Sequence, residues 1–307
     1  MDGILIVNKE KNWTSNDVVQ KVKRLTGQKV GHTGTLDPLA TGVLPLLIGK
    51  GTLLSKYLIN HDKTYIAKVK LGIKTDTADL EGKIIERIDV DESIFNQNKI
   101  ENVLKSFIGT QNQIPPMYSA IKIKGKKLYE YARSGQNVDI PERKIEIYKM
   151  ELINFDKNTK EVEFEVSCSK GTYIRTLCED IAKKMINIGT MSSLNRIIVG
   201  DFKIENAITM NNINEINLSN KIITIESFFR KNKSINLSNR DLTMFLNGVK
   251  LNRKEENDIY RVYSEDRFIG IGIIKNNILK RDIILWKNYK TDHIMNLFCN
   301  HKKKYKK

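Results

Sequence analysis

The stretch Gly31-His32-Thr33-Gly34-Thr35-Leu36-Asp37-Pro38-Leu39-Ala40-Thr41-Gly42 sets one carboxylate among three glycines and a proline, a composition that the interior of a helix or strand tolerates poorly. Glycine lets backbone approach a ligand closely, and Pro38 fixes the chain just after Asp37, so the carboxylate is presented on a rigid turn. Held in that way, a carboxylate serves as a nucleophile or as a general base. An Asp-Pro pair serves equally well to cap a helix or close an Asx turn, and the local pattern does not separate these roles. No second carboxylate stands in a comparable motif, which argues against the paired-acid chemistry of glycoside hydrolysis. No Gly-rich loop of the nucleotide-binding kind is present. Cys168, Cys178 and Cys299 form no Cys-x-x-Cys pair and have no histidine at ligand spacing, so neither a metal site nor a disulfide framework is expected.

Elements with ordinary signatures must position this loop. Ile4 to Val7 reads as a strand, and Thr14-Ser15-Asn16-Asp17 supplies capping side chains for a helix carrying Val18, Val19, Val22 and Leu25 and stopped by Gly27. After the loop come the apolar run Val43 to Ile48 and a helical pattern at Leu53, Leu54, Tyr57 and Leu58. Tyr65, Ala67, Val69 and Leu71 alternate with Ile66, Lys68 and Lys70, and Val162, Phe164, Val166 and Cys168 repeat that period against glutamates, the signature of antiparallel strands with one wet face. Helices are expected from Ile100 through Ile108 to a stop at Gly109, from Leu128 through Ala132 to a stop at Gly135, and from near Thr172 through Ile174, Leu177 and Ile181 to Met185. Strands and helices intermix without a βαβ beat, so the expected fold class is α+β, not a doubly wound sheet.

All five prolines lie between residues 38 and 141, and Asn-rich polar stretches at 211–220 and 231–239 bracket a change in character. The expected boundary is near 230, with a small β-rich module over 231–292 that turns at Asn276-Asn277, and a basic tail over 293–307. The chain of 307 residues has a formal net charge of +16, and from Lys231 onward 18 Lys and Arg face 8 Asp and Glu, or +10 of that total. Such asymmetry fits a polyanionic partner, although a lysine surplus also makes an ordinary solvated surface. No apolar run approaches the ~20 residues of a membrane span. The N-terminus lacks a signal-peptide core, so a cytoplasmic location is expected.

Gly31 to Pro45 closely resembles the catalytic motif of bacterial TruB-type tRNA pseudouridine-55 synthases. Further matches follow in the family's order: Asn8-Lys9 with Thr14-Ser15-Asn16, Lys63-Thr64-Tyr65, Thr75-Asp76-Thr77, residues 114–120, residues 125–129, residues 168–176, and Leu194 with Arg196. The resemblance spans roughly residues 3 to 205 and implies the pseudouridine-synthase fold, a mixed and largely antiparallel sheet, over 1–230 with a PUA-like RNA-binding module after it. It implies isomerisation of uridine to pseudouridine in the T-loop of tRNA, with no cofactor and no metal. The enzyme would act as a cytoplasmic monomer on the T-stem-loop, with no obligate protein partner.

By motif position the resemblance makes Asp37 the catalytic aspartate, Tyr65 the ring that stacks on the target base, Arg175 the ion-pair partner of Asp37, and Leu194 an apolar wall. His32 fills the space left by the flipped base, and Lys9, Asp76 and Tyr173 support loops or touch substrate. Base extrusion costs a few kcal/mol, offset by stacking and by filling the gap. Two departures stand out. Lys9-Glu10-Lys11-Asn12 lacks the family's proline and glycine, although Asn12 tolerates a left-handed turn. Asn195-Arg196 replaces an Arg-Arg pair, which removes one expected phosphate contact. Two rival readings are a guide-dependent dyskerin-type synthase, disfavoured by the bacterial form of residues 39–45, and a noncatalytic RNA-binding or RNA-folding protein. The second leaves the joint presence of Asp37, Tyr65 and Arg175 unexplained.

Overall fold

The computed structural model describes residues 1–286, so the last residues of the expected β-rich module and the basic tail over 293–307 lie outside the described residues. Two compact units emerge, Gly3–Ile222 and the chain from Ile223 on, the division coming just ahead of the composition change near 230.

In the first unit the two apolar runs flanking the glycine-rich loop become antiparallel neighbours, Gly3–Lys9 and Thr41–Ile48, with Lys9 opposite Gly42. Every residue from Gly42 to Ile48 is buried, as expected of a central strand covered on both faces, whose sequence reads as a continuous apolar run. The two alternating segments form Lys63–Leu71 and Glu161–Cys168, paired antiparallel with Tyr65 opposite Val166. Between Thr41–Ile48 and Lys63–Leu71 lies Gly189–Val199, parallel to the first and antiparallel to the second. The sheet is completed on one side by Ile208–Thr209 beside Gly3–Lys9, and on the other by Arg143–Asp156 and Gly109–Gln113. The result is a mixed, largely antiparallel sheet with helices against it, the α+β class that the sequence pattern predicts.

Helix Ser15–Thr26 starts at a capping box in which the Thr14 side chain accepts from the Asp17 amide at 3.1 Å and Asp17 accepts from the Thr14 amide at 2.9 Å. It ends at Gly27 with φ of 63°, a left-handed C-cap that glycine adopts without a Cβ penalty. Its buried stripe of Val18, Val19 and Val22 joins the sheet core around Leu5, Val69 and Phe164. Helix Ile174–Lys184 buries Leu177, Cys178 and Ile181 in the same core, together with the side chain of Arg175. An arginine on the buried stripe of a helix needs partners, because desolvating an unpaired charge is costly.

The second unit has a five-stranded sheet of Ser234–Asn236, Asp258–Ser264, Arg267–Lys275, Ile278–Ile284 and Leu251–Asn252, in that order. Helix Asn239–Leu246 contributes Phe245 to a core with Ile235, Tyr260, Val262 and Ile269. The turn read at Asn276-Asn277 joins two strands with φ of 52° and 59°, the pair of left-handed residues that a two-residue hairpin demands.

Candidate active site

Residues 33–40 make a loop that is pinned from three directions. From one side, the Ser15 hydroxyl accepts from the Leu36 amide at 2.8 Å and donates to the Leu36 carbonyl at 3.0 Å. From a second, the Asn12 amide donates to the Pro38 carbonyl at 2.9 Å while Lys9 Nζ donates to the carbonyls of Trp13, Glu10 and Pro38 at 2.6, 3.0 and 3.4 Å. Asn12 has φ of 68°, a left-handed turn that asparagine tolerates. From the third, Arg196 donates through Nε to Val43 at 2.8 Å, through Nη2 to Gly34 at 3.0 Å and through Nη1 to Thr35 at 3.5 Å, each time to the carbonyl. The Ala40 amide then closes a tight turn on the Asp37 carbonyl at 3.0 Å.

This bracing leaves the Asp37 side chain 37% exposed, with Oδ2 3.2 Å from Nε of Arg175, itself only 7% exposed. The remaining donors of Arg175 reach the carbonyl of Thr77 at 3.0 Å, the carbonyl of Tyr118 at 2.8 Å and the carboxylate of Asp79 at 3.8 Å. The guanidinium is thus fixed on several sides, and it aims the carboxylate. Both groups line a cavity of about 700 Å³ together with Tyr65, Leu194, Tyr173 and Ser119. Burial pushes the Tyr65 phenol above its usual range, so this ring is a neutral stacking surface at ordinary pH. Ser119, on the same wall, is itself buried. Lys63, Arg143, Lys144 and Lys170 also line it and suit a polyanion.

The other residues singled out from sequence fall at different depths. Tyr173 caps helix Ile174–Lys184 and is held by Gln113, whose side chain accepts from the Tyr173 amide at 2.8 Å and donates to its carbonyl at 3.0 Å. His32 ends the short strand Val30–His32 and is half-buried, with Nδ1 unpartnered among the described residues. Burial and then the charge of Arg196 lower its pKa, so it is a neutral imidazole at pH 7, and it lies outside the cavity lining. Lys9 is fully buried beneath the loop, where it supports backbone and does not reach the cavity. Asp76 is exposed and accepts from the Lys83 amide at 2.8 Å, closing the turn between Ile73–Thr75 and Ile84–Arg87. The carboxylate from this segment that approaches Arg175 is instead Asp79, because the turn with Ala78 at φ of 62° directs Asp79 inward. Arg196, to which the sequence assigned no role, stands opposite Tyr65 on the neighbouring strand, fully buried, and its donors are used by loop carbonyls.

Comparison with known proteins fits this geometry. Residues 22–174 match the family model described as TruB family pseudouridylate synthase, N-terminal domain, and residues 175–229 match the tRNA pseudouridylate synthase B C-terminal domain. A curated relative from Clostridium tetani, named tRNA pseudouridine synthase B, is 46% identical over 279 residues, covering 89% of this chain and 95% of its own. One of the same name from Caldanaerobacter subterraneus is 42% identical, covering 91% of this chain and 98% of its own. The chain belongs to the TruB family of pseudouridylate synthases. Within that family, the Asp37 loop and the strand bearing Tyr65 fall inside the N-terminal match, and Arg175 opens the C-terminal one. More distant relatives of the fold occur among solved structures. A Cbf5–Nop10–Gar1 complex has a TM-score of 0.62 at 23% identity, with 93% of this chain and 84% of that one covered. An H/ACA particle bound to a substrate RNA has a TM-score of 0.63 at 21% identity, with 93% and 85% covered. These likenesses concern the fold alone.

Proposed function

We propose that this TruB-family chain isomerises a uridine in the T-loop of tRNA, at position 55, to pseudouridine. The observation that carries the reading is the carboxylate of Asp37, held by buried Arg175 at the wall of a cavity that Tyr65 and Leu194 also line. The reaction breaks the bond from C1′ to N1, turns the uracil over and joins C1′ to C5, with no net redox change and no external reactant. A carboxylate supplies the nucleophile or base, and an enclosed apolar slot retains the detached uracil until it recombines. Tyr65 is the stacking surface and Leu194 the opposing wall. Exposed Arg143, Lys144 and Lys170 contact the phosphates that flank the flipped nucleotide, and His32 fills the vacated position in the loop.

No helix among the described residues is long and apolar enough to cross a membrane. In this reading the protein works in the cytoplasm as a monomer, without guide RNA, nucleotide or metal, and its basic C-terminal module adds affinity for tRNA. The experiment is incubation of the purified protein alone, in chelator, with an unmodified tRNA transcript, followed by mapping of pseudouridine. Conversion confined to the T-loop supports the reading. A requirement for added guide RNA and partner proteins would replace it with a dyskerin-type activity.

A further inference from the structure

The cavity wall contains two buried guanidiniums with opposite surroundings. Arg175 faces two carboxylates, Asp37 at 3.2 Å and Asp79 at 3.8 Å. Arg196 is 2% exposed and, among the described residues, faces none: its partners there are the carbonyls of Gly34, Thr35 and Val43 and the phenol of Tyr65. A buried cation without an anion of its own is costly, and where neutral donors would bind the same carbonyls its charge asks for a separate reason. Its position suggests one. In the strand Gly189–Val199, Arg196 sits two residues beyond Leu194, is buried like it, and lies opposite Tyr65. The charge therefore lies in the wall where the uracil would be held, and Arg196 itself lines the cavity.

Resting on the uridine-isomerase reading, the chemistry requires a negative charge to move toward that wall. Three first steps are open to the carboxylate. In one, an Asp37 oxygen bonds C1′ as the C1′ to N1 bond breaks and N1 keeps the electron pair. In another, Asp37 takes the C2′ proton, the C–H pair forms a C1′ to C2′ double bond, and N1 again leaves with its pair. In the last, an Asp37 oxygen bonds C6 and the C5 to C6 pair moves toward O4. In all three Asp37 gives up its charge and the uracil acquires it.

We propose that Arg196 stabilises the uracil anion formed in that step, from the cavity wall and through the hydroxyl of Tyr65. The two arginines then divide the work. Arg175 interacts most strongly while Asp37 is still an anion and so holds the starting arrangement. Arg196, with no competing carboxylate, interacts most strongly once the charge is on the ring, and only an interaction that strengthens toward the transition state raises the rate.

The test uses full-length protein with Arg196→Gln, which keeps an amide donor and removes the charge, and Arg196→Lys, which keeps a charge. Single-turnover consumption of the target nucleoside is followed by chromatography of digested T-stem-loops carrying uridine or 5-fluorouridine, with RNA affinity and thermal melting measured alongside. Fluorine at C5 withdraws electrons and stabilises the ring anion without help from the protein. Arg196→Gln is expected to lower the uridine rate about a hundredfold with RNA affinity within about threefold, and the loss is expected to shrink about tenfold with 5-fluorouridine. Arg196→Lys is expected to retain the larger part of the rate. Equal losses on the two substrates, or a Gln variant within about threefold of the native rate, overturn the proposal, since a merely structural role is blind to the fluorine. If Arg196→Gln fails to fold, Arg196→Lys decides against native protein: its shorter, displaced charge must slow uridine more than 5-fluorouridine, and equal slowing overturns the idea. Native protein that consumes neither substrate refutes the isomerase reading, and this role of Arg196 falls with it, whereas native consumption with equal losses in the variant overturns the role alone.

Discussion

The lysine beneath the Asp37 loop gives a stability measurement whose sign and size follow from its surroundings. Lys9 has no exposed surface, and its ammonium donates to the carbonyls of Trp13, Glu10 and Pro38. Burial pushes its pKa down to about 8, against the smaller opposing pull of Asp37. In the unfolded chain a lysine keeps its proton to about 10.4. Between those values the unfolded state binds more protons than the folded one, so stability rises with pH through this window and the cost of the buried charge is fully present below it. At about 1.4 kcal/mol per pH unit, the native protein should gain about 2 kcal/mol from this group between about pH 7 and 9.5. Lys9→Met removes that pH-dependent gain. At neutral pH it also relieves the charge while leaving the carbonyls of Glu10 and Trp13 without that donor, at about 1 to 3 kcal/mol each, whereas the Pro38 carbonyl keeps the Asn12 amide. The variant should therefore be near neutral to a few kcal/mol destabilised at pH 7, and about 2 kcal/mol further behind native protein at pH 9.5. Urea unfolding followed by tryptophan fluorescence at the two pH values measures this, Trp13 being one of the residues held by Lys9. A difference between native and variant that does not change with pH would refute the reasoning, because it would mean that Lys9 titrates as an exposed lysine.

Three further outcomes are expected. Ile186 is 93% exposed with φ of 57°, a strained conformation for a β-branched residue, so Ile186→Gly should raise stability by up to about 1 kcal/mol in denaturant titration. Asp79→Asn weakens the second carboxylate on Arg175 and lets the Asp37 pair drift; turnover should fall by up to about a hundredfold with tRNA affinity unchanged, and an equal loss of affinity would show that Asp79 acts in binding. Removal of residues 231–307 takes away +10 of charge, and the slope of log affinity against log salt should drop by roughly 0.7 to 0.9 for each phosphate that the module neutralises; an unchanged slope would mean that the basic module does not touch RNA.

Much of the fold is legible in the chain because its signals are local. Period-two alternation marks Lys63–Leu71 and Glu161–Cys168, side-chain capping marks Ser15–Thr26, and paired asparagines mark the hairpin at Asn276. Asp37 is also a local signal, since glycines and a proline surround it. What resists reading depends on partners far apart in sequence. Arg196 has no role legible in the sequence until the register of Gly189–Val199 sets it opposite Tyr65 and next to Gly42. Gly42 carries a usable hint: it has φ of 106°, and a Cβ there would stand 2.2 Å from the Arg196 carbonyl, so glycine is required by a close strand approach and not by the loop. Asp76 and Asp79 lie three residues apart, and only the geometry of their turn tells which one faces Arg175. Lys9, a cation at the end of a strand, carries no local mark of burial. Its environment comes from the carbonyls of Trp13 and Pro38 that close over it, the second of them on the far side of helix Ser15–Thr26 in the chain.

The most direct test of the central claim is tritium release from a T-stem-loop labelled at C5 of the target uridine, comparing native protein with Asp37→Asn. C5 must lose its hydrogen when it becomes the carbon joined to the sugar, so each isomerisation frees one label into water. Native protein alone, in chelator, should release tritium one for one with pseudouridine formed, and Asp37→Asn should release none while binding the same RNA within about threefold. Release by the Asn variant at a rate near native, or binding without release by the native protein, would contradict the assignment of Asp37 as the reacting carboxylate.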